Sequence, residues 1–244
     1  MEKRVRFINT YVDGLTMSET LNKIEKYIVN KECIQHVVIN AGKVNLMQRD
    51  KELTTIINKC PLINADGQSI VWGSQILGNK LPERVAGIDI FTKLVKISAE
   101  KGYKLYFFGA KEEVVVKVIE KFKKIYPNLQ IAGYRNGYFN KEESIKIAED
   151  IRNSGADILF VAFSSPMKEY WIRDNMTIMK VPFAMGVGGS FDVIAGETKR
   201  APRWMQKSGL EWFYRFIQEP RRMWKRYILG NIEFIKLVIK NKLH

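Results

Sequence analysis

A chain of 244 residues, 46% hydrophobic, 27% charged and 11% aromatic with 17 Gly and 7 Pro, is long enough for one sizeable core. That composition excludes a disordered, collagenous or low-complexity protein. The 40 Lys+Arg against 26 Asp+Glu leave a net charge of +14, which favours phosphate-bearing partners: nucleic acid, a nucleotide substrate or an anionic membrane surface.

In chain order, residues 5–12 read as a strand. Thr16 and Glu19 then form a TxxE capping box for a helix through residue 29. A short apolar strand at 37–40 is followed by helical patterns to 59, and another strand at 61–65 ends on Asp66-Gly67. After a helix come the loop LPERVAG, a helix over 88–101, a strand over 104–110 and a helix over 111–126. The alternation continues with a strand at 129–134, a helix at 141–154, a strand at 157–163, a helix opened by Ser165-Pro166 and a strand at 181–187. Strands separated by helices of this length predict an α/β class: a mostly parallel, Rossmann-like sheet with helices on both faces.

Cys33, Cys60, His36 and His244 stand in no disulfide or zinc-ligand spacing. A disulfide framework, a zinc site and histidine-dependent catalysis are therefore not expected, and no cofactor is assigned. The basic start has no apolar segment behind it, and the longest uncharged stretch, 67–79, falls short of the roughly 20 residues that span a bilayer. A cytoplasmic location is expected.

Charge divides the chain. Residues 199–244 hold 12 Lys+Arg and 3 Asp+Glu, a net of +9, while the preceding 198 carry +5. The division predicts an α/β core over 1–198 and a basic helical appendage over 199–244. Three of the five tryptophans, Trp204, Trp212 and Trp224, lie in that appendage with Phe213, Tyr214, Phe216 and Tyr227. Its last part, 221–243, reads as one helix. Trp224, Ile228, Ile232, Ile235, Val238 and Ile239 recur at helical spacing, among Arg222, Lys225, Arg226, Lys236, Lys240 and Lys242. Such a helix suits the headgroup plane of a membrane or packs on its own domain. Nucleic acid is the weakest of the three partners, because apolar burial adds little to phosphate tracking.

In a parallel α/β sheet the ligand site forms at the carboxyl ends of the strands. Asn40, Asp66-Gly67, Gly109, Ser164-Ser165-Pro166 and Gly186–Ser190 fall there. Asp66 is either a general base or the opening of an Asp-Gly turn or helix cap. GVGGSFD, at 186–192, lets backbone N–H groups meet a phosphate, or simply allows tight helix packing. Ser165 reads as an N-cap with Pro166 at the first helical position, and Lys168 and Glu169 in that first turn are ligand candidates. Lys168 is electrostatically out of place at a helix start unless an anion lies nearby. No Asp-x-Asp metal-binding pair occurs, so a departing diphosphate would be met by cations, for which the run Glu211-Trp212-Phe213-Tyr214-Arg215 and then Glu219-Pro220-Arg221-Arg222 supply candidates. A solvated basic helix face accounts for the same arginines.

Five segments together resemble the WecG/TagA/CpsF glycosyltransferases of bacterial surface-polymer synthesis. They are NADGQSIVW (64–72), PERVAGIDIF (82–91), LYFFGA (105–110), SSPMKEYWI (164–172) and the long run GVGGSFDVIAGETKRAPRWMQKSGLEWFYRFIQEPRRMWKRY (186–227). The resemblance implies an inverting, metal-independent transferase moving N-acetylmannosamine from its UDP derivative to undecaprenyl-diphosphate-linked N-acetylglucosamine, the linkage unit of wall teichoic acid. It places the general base at Asp66. Donor contacts fall at Asn40, Arg84, Lys168, Glu169, Gly188, Gly189 and Asp192, and diphosphate or acceptor contacts at Arg215 and Arg222. The appendage would close the site and hold the enzyme on the inner face of the cell membrane. Two departures bear on the donor: the family's Thr-x-Asn is Val38-Ile39-Asn40 here, and its Pro-x-Gln-Glu is Pro166-Met167-Lys168-Glu169. They leave open another UDP-sugar serving another surface polysaccharide. A non-catalytic basic binding protein is the remaining alternative, and the oligomeric state, a homo-oligomer included, is not set by the sequence.

Overall fold

A computed structural model describes residues 4–243, without the side chains of Lys207, Arg222, Lys225 and Arg226. The chain opens with β1 (Arg4–Phe7) and β2 (Thr10–Asp13), an antiparallel hairpin where the sequence pattern suggests one strand. The turn falls on Ile8, whose φ of 55° reverses the chain without a glycine to announce it. Arg4 closes the hairpin by a two-toothed bond to Asp13, at 2.9 and 2.8 Å, and Asp13 Oδ2 accepts the Ile63 N–H at 2.7 Å, fastening the hairpin to the sheet.

Helix α1 (Met17–Val29) begins at the expected capping box, in which Thr16 and Glu19 satisfy each other's backbone N–H groups. Then follow β3 (Ile34–Ile39), α2 (Ala41–Arg49), α3 (Lys51–Lys59), β4 (Leu62–Ala65), α4 (Gln68–Ile76), α5 (Gly87–Lys101), β5 (Leu105–Gly109), α6 (Glu112–Ile125) and β6 (Ile131–Arg135). A 3-10 turn (Lys141–Glu143) leads into α7 (Ser144–Asn153), β7 (Ile158–Ala162), α8 (Met167–Met179), β8 (Phe183–Gly186) and α9 (Ser190–Ala195). The six central strands are all parallel in the order β4-β3-β8-β7-β5-β6. Side-chain alternation divides the core. Leu105, Phe107, Ile158 and Phe160 face a layer with Phe91 of α5, Val115 of α6 and Phe191 of α9. Tyr106, Phe108, Leu159 and Val161 face the opposite layer with Ile147 of α7 and Trp171 of α8.

The carboxy-terminal part holds α10 (Arg203–Lys207), α11 (Glu211–Gln218), α12 (Pro220–Trp224), a π-helical stretch (Lys225–Leu229) and α13 (Gly230–Lys242). The expected single helix over 221–243 is thus interrupted, because the wider π turn shifts the phase of the apolar stripe. The face that docks carries Phe234 and Val238, one turn apart and buried. Phe234 stacks on Phe7 with ring centroids 6.1 Å apart, and Val238 packs where α4 has only the hydrogen of Gly73. Asn45 Nδ2 donates to the Gly230 carbonyl at 2.7 Å, and Arg49 pairs with Glu233 at 2.6 Å. Ile228, Ile232, Ile235 and Ile239 of the expected stripe stay exposed.

Inside the sheet, His36 on β3 is buried against Phe183, and its Nε2 lies 2.9 Å from Asn64 Oδ1 on β4. Asn64 Nδ2 donates to Thr20 Oγ1, so Oδ1 is an acceptor and His36 is the neutral Nε2–H tautomer. Burial pushes its pKa down from 6.5 to about 4 despite the bond to Asn64. Between those values the unfolded chain binds the extra proton, so the stability is complete above pH 6.5 and is lost as pH falls toward 4. We expect unfolding free energy to drop by about 2 kcal/mol between pH 6.5 and 5, and His36→Gln, which does not titrate, to flatten that slope in denaturant titrations. An unchanged slope would place the proton uptake elsewhere.

Candidate active site

The carboxyl ends of β3, β4, β5, β7 and β8 open into one cleft of about 1780 Å³. Asn40, directly after β3, caps α2: its Oδ1 accepts the Lys43 N–H at 3.0 Å. Asp66, directly after β4, sends its own N–H to the Ile39 carbonyl at 2.9 Å. Its Oδ1 accepts the Gly87 N–H at the start of α5, at 2.8 Å, leaving Oδ2 outside that bond. Helix α4 begins on Gly67 with no side-chain cap, so Asp66 caps a helix 21 residues on rather than the one it precedes. The cap and the cleft position coexist. The Val85 N–H donates to the Ala65 carbonyl at 2.8 Å, which lays the 81–87 loop beside β4 and brings Arg84 to the cleft.

Beyond β8 the glycines make room for cations. A Cβ on Gly186 would stand 2.6 Å from Lys168 Cδ, and one on Gly189 would stand 2.8 Å from Arg215 Nη2 and 3.5 Å from Asp192 Oδ2. Gly188 has φ +51° and lies beside the Lys168 ammonium. Lys168 and Arg215 therefore approach the same turn, from α8 and from α11. Arg215 Nε is buried without a hydrogen-bond partner among the described residues. A buried donor in that state is costly unless an acceptor arrives. Lys168, Gly188, Gly189, Asp192 and Arg215 are thus brought together, and Asn40 and Asp66 border the same cleft. The side chain of Arg222 lies outside the described residues.

Glu169 sits differently from the other candidates. It is 2% exposed, and its Oε1 accepts from Lys43 Nζ at 2.8 Å and Ser165 Oγ at 3.1 Å, with Lys168 Nζ at 3.7 Å. Burial pushes its carboxyl up, but the charges of Lys43 and Lys168 and the bonds from Lys43 and Ser165 outweigh that and hold it below the usual range. The Ser165 hydroxyl is spent on this carboxylate rather than on capping α8. The N-cap position falls to Pro166, one residue later than the sequence pattern suggests, after a cis Ser165–Pro166 bond.

The appendage is tied to this cleft by ions. Glu211 of α11 accepts from Arg84 Nη1 at 2.8 Å and from Arg200 Nε at 3.2 Å. Arg200 also grips Asp89 of α5 through two bonds of 2.6 and 2.9 Å. Burial lowers the Arg200 pKa, and Asp89 with Glu211 more than restores it. Sequence reasoning missed Lys43, Asp89, Arg200 and Glu211. Lys43 had a local signal, since it stands three residues after the cap Asn40. The other three meet across 111 and 11 residues, with no spacing to reveal them.

The model of the glycosyl transferase WecG/TagA/CpsF family matches residues 5–244. The chain belongs to this family of glycosyltransferases. Among its relatives is the N-acetylglucosaminyldiphosphoundecaprenol N-acetyl-beta-D-mannosaminyltransferase of Bacillus subtilis, 36% identical over 180 residues, which are 74% of this chain and 69% of that one. The enzyme of the same name from Bacillus spizizenii is 34% identical over 187 residues, 77% of this chain and 71% of that one.

A glycosyltransferase has to meet the charge of a leaving group, and in this member the cations stand over glycines. Gly189 has an ordinary helical-side backbone, φ −69°, so alanine fits its backbone but pushes the Arg215 guanidinium aside. We expect Gly189→Ala to leave the denaturation midpoint nearly unchanged while transferase kcat/KM falls about 10²-fold, the scale of an ångström's misplacement. Wild-type activity in that variant would remove Arg215 from the site.

Proposed function

We propose that this glycosyltransferase moves N-acetylmannosamine from UDP-N-acetylmannosamine to undecaprenyl-diphosphate-linked N-acetylglucosamine, with inversion and without a metal ion. The observation that carries the reading is the shared cleft: it is bordered by a carboxylate, Asp66, and by two cations, Lys168 and Arg215, gathered on a glycine turn. The relatives' names supply the sugar and the lipid-linked acceptor.

In this mechanism the acceptor's 4-hydroxyl oxygen attacks the anomeric carbon of the donor from the face opposite UDP. The bond from that carbon to the diphosphate oxygen breaks, its electron pair leaves with UDP, and Asp66 takes the hydroxyl proton. Arg215 and Lys168 offset the charge that develops on the diphosphate, a task for which donors held in place beforehand are most effective. Asn40, Arg84, Gly188, Gly189 and Asp192 surround the donor, with Glu169 behind them, and the role of binding the acceptor diphosphate is assigned to Arg222 from the sequence. Val38 and Lys168 both border the cleft and favour one variation, a UDP-sugar other than N-acetylmannosamine.

Residues 1–198 act as the catalytic core in this reading, and 199–244 close the site and bind the inner face of the membrane. No helix among the described residues is long and apolar enough to cross a membrane. The exposed Ile228, Ile232, Ile235 and Ile239, with Trp72 and Ile76 of α4, support a peripheral contact, flanked by Lys236, Lys240 and Lys242. Ile228, Ile235, Ile239, Trp72 and Ile76 also border the cleft itself, so one surface serves both the lipid and the acceptor it carries.

Asp66→Asn keeps an acceptor for the Gly87 N–H but loses the base, so turnover should fall about 10²- to 10⁴-fold with folding and UDP affinity retained. Near-normal turnover would take the role from Asp66. A panel of UDP-sugars with the lipid-linked acceptor, run with and without chelator, decides the donor and the metal independence together. For the membrane contact, Ile235→Glu/Ile239→Glu should cut flotation with vesicles containing anionic lipid by tenfold or more, since each buried isoleucine is worth about 1.5–3 kcal/mol. Undiminished flotation would reject α13 as the contact.

A further inference from the structure

Lys43 is a buried lysine to which neither the proposed chemistry nor the membrane contact gives a task. Its side chain is 6% exposed, and its ammonium lies 2.8 Å from Glu169 Oε1, across 126 residues of sequence. A buried ion pair contributes little net stability once desolvation is counted, and well-packed apolar replacements are often as stable. What such a pair fixes is geometry.

The geometry concerned is that of the donor side of the cleft. Lys43 is bound to Asn40 through its own backbone N–H, at 3.0 Å, so the two move together at the start of α2. Glu169 is bound at both ends: its carbonyl accepts from Gln35 Nε2 on β3 at 3.1 Å, and its Oε1 gathers Lys43, Ser165 and, at 3.7 Å, Lys168. Its Oε2 is buried without a partner among the described residues. A single carboxylate oxygen therefore links the α2 terminus that carries Asn40 to the α8 terminus that carries Ser165 and Lys168. Lys43 occupies the side of that oxygen facing α2. The Lys168 stem meanwhile runs over Gly186, and its ammonium reaches the Gly188 turn.

We infer that Lys43 is a positioning residue: by holding Glu169, it sets where the Lys168 ammonium stands relative to Asn40 and the glycine turn, and so tunes affinity for the donor diphosphate. The inference rests on the reading of the cleft as a UDP-sugar site. Without Lys43, the Lys168 ammonium is the remaining cation beside Glu169, and the attraction of a buried carboxylate draws it away from Gly188.

The test is UDP binding by calorimetry, with donor KM and kcat measured in parallel. The proteins are the wild type, Lys43→Arg, Lys43→Met and the double variant Lys43→Met/Glu169→Gln. Lys43→Met leaves the Glu169 carboxylate to draw Lys168 and should bind UDP about tenfold or more weakly, with the loss in donor KM rather than in kcat. Lys43→Arg, which retains the cation, should keep most of the wild-type affinity, and adding Glu169→Gln to Lys43→Met, which removes the attraction, should restore part of it. If Lys43→Met does not fold, Lys43→Gln, which keeps a hydrogen bond to Glu169, reads the same question. A folded Lys43→Met with wild-type UDP affinity, or a double variant as weak as the single one, overturns the positioning role while leaving the donor site intact. A wild-type protein that binds no UDP overturns the donor reading itself, and the inference with it.

Discussion

Strand β5 buries every side chain it carries, and β7 all but Ala162, in apolar layers on both faces of the sheet. A parallel sheet covered this way has no room for a solvated polar group along its length. The polar exceptions in the sheet lean on one another: His36 lies neutral against Asn64, and Asn64 leans on Thr20. Polar chemistry is pushed to the places where strands stop. Asn40, Asp66, Ser164 and Gly186 are each the residue at or just past the end of β3, β4, β7 or β8, and all four border one cleft. The same constraint explains why the site is assembled from helix starts. Helix starts gather there and their first N–H groups need acceptors: Asn40 supplies one to α2, which β3 feeds, and Asp66 one to the more distant α5.

The carboxyl-end cleft of the core is nevertheless only part of the site. The Arg215 guanidinium comes from α11 and rests on Gly189, a position that admits it only because no Cβ is there. Helix α11 is held in turn by Glu211, which binds Arg84 of the core loop and Arg200, itself locked on Asp89. Exposed single ion pairs contribute little, but this set is half-buried, shares acceptors and includes a bidentate arginine, the arrangement in which ion pairs gain most from one another. It couples the position of Arg84 to the docking of α11, so the 81–87 loop and the appendage are mechanically one unit.

The α/β class, nearly every element and the presence of a cleft at the carboxyl ends of the strands were legible in the sequence because each has a local cause. The capping box at Thr16 and Glu19 and the continuous apolar run at 105–108 speak for themselves within a few residues. Ile8 did not: its left-handed backbone splits one strand into a hairpin, and an isoleucine there carries no turn signal. The interruption of the last helix was hidden for a related reason, since a π turn leaves the spacing of apolar residues nearly helical while rotating which of them face the core. For the site, residue types at strand ends were readable, whereas partners were not. Nothing near Asp66 says that its carboxylate reaches Gly87, and nothing near Glu169 says that it meets Lys43. Those are tertiary facts.

The excess charge of the appendage divides along the same lines. Of its net +9, Arg200 and Arg215 are committed inward, one to carboxylates of the core and one to the glycine turn. Lys236, Lys240 and Lys242 point the other way, exposed along α13 beside Ile232, Ile235 and Ile239. The two sets are separated by the π turn, and the docked pair Phe234 and Val238 fixes how α13 is rotated about its axis. An amphipathic helix free in solution would bury its whole apolar stripe against whatever it met first. Here the core buries Val238 of that stripe together with Phe234 from beside it, so the isoleucines stay exposed on a helix whose orientation to the cleft is already set. In the proposed reading the acceptor carries its sugar on a lipid diphosphate, and that fixed orientation lets α13 meet the lipid while Asp66 meets the sugar.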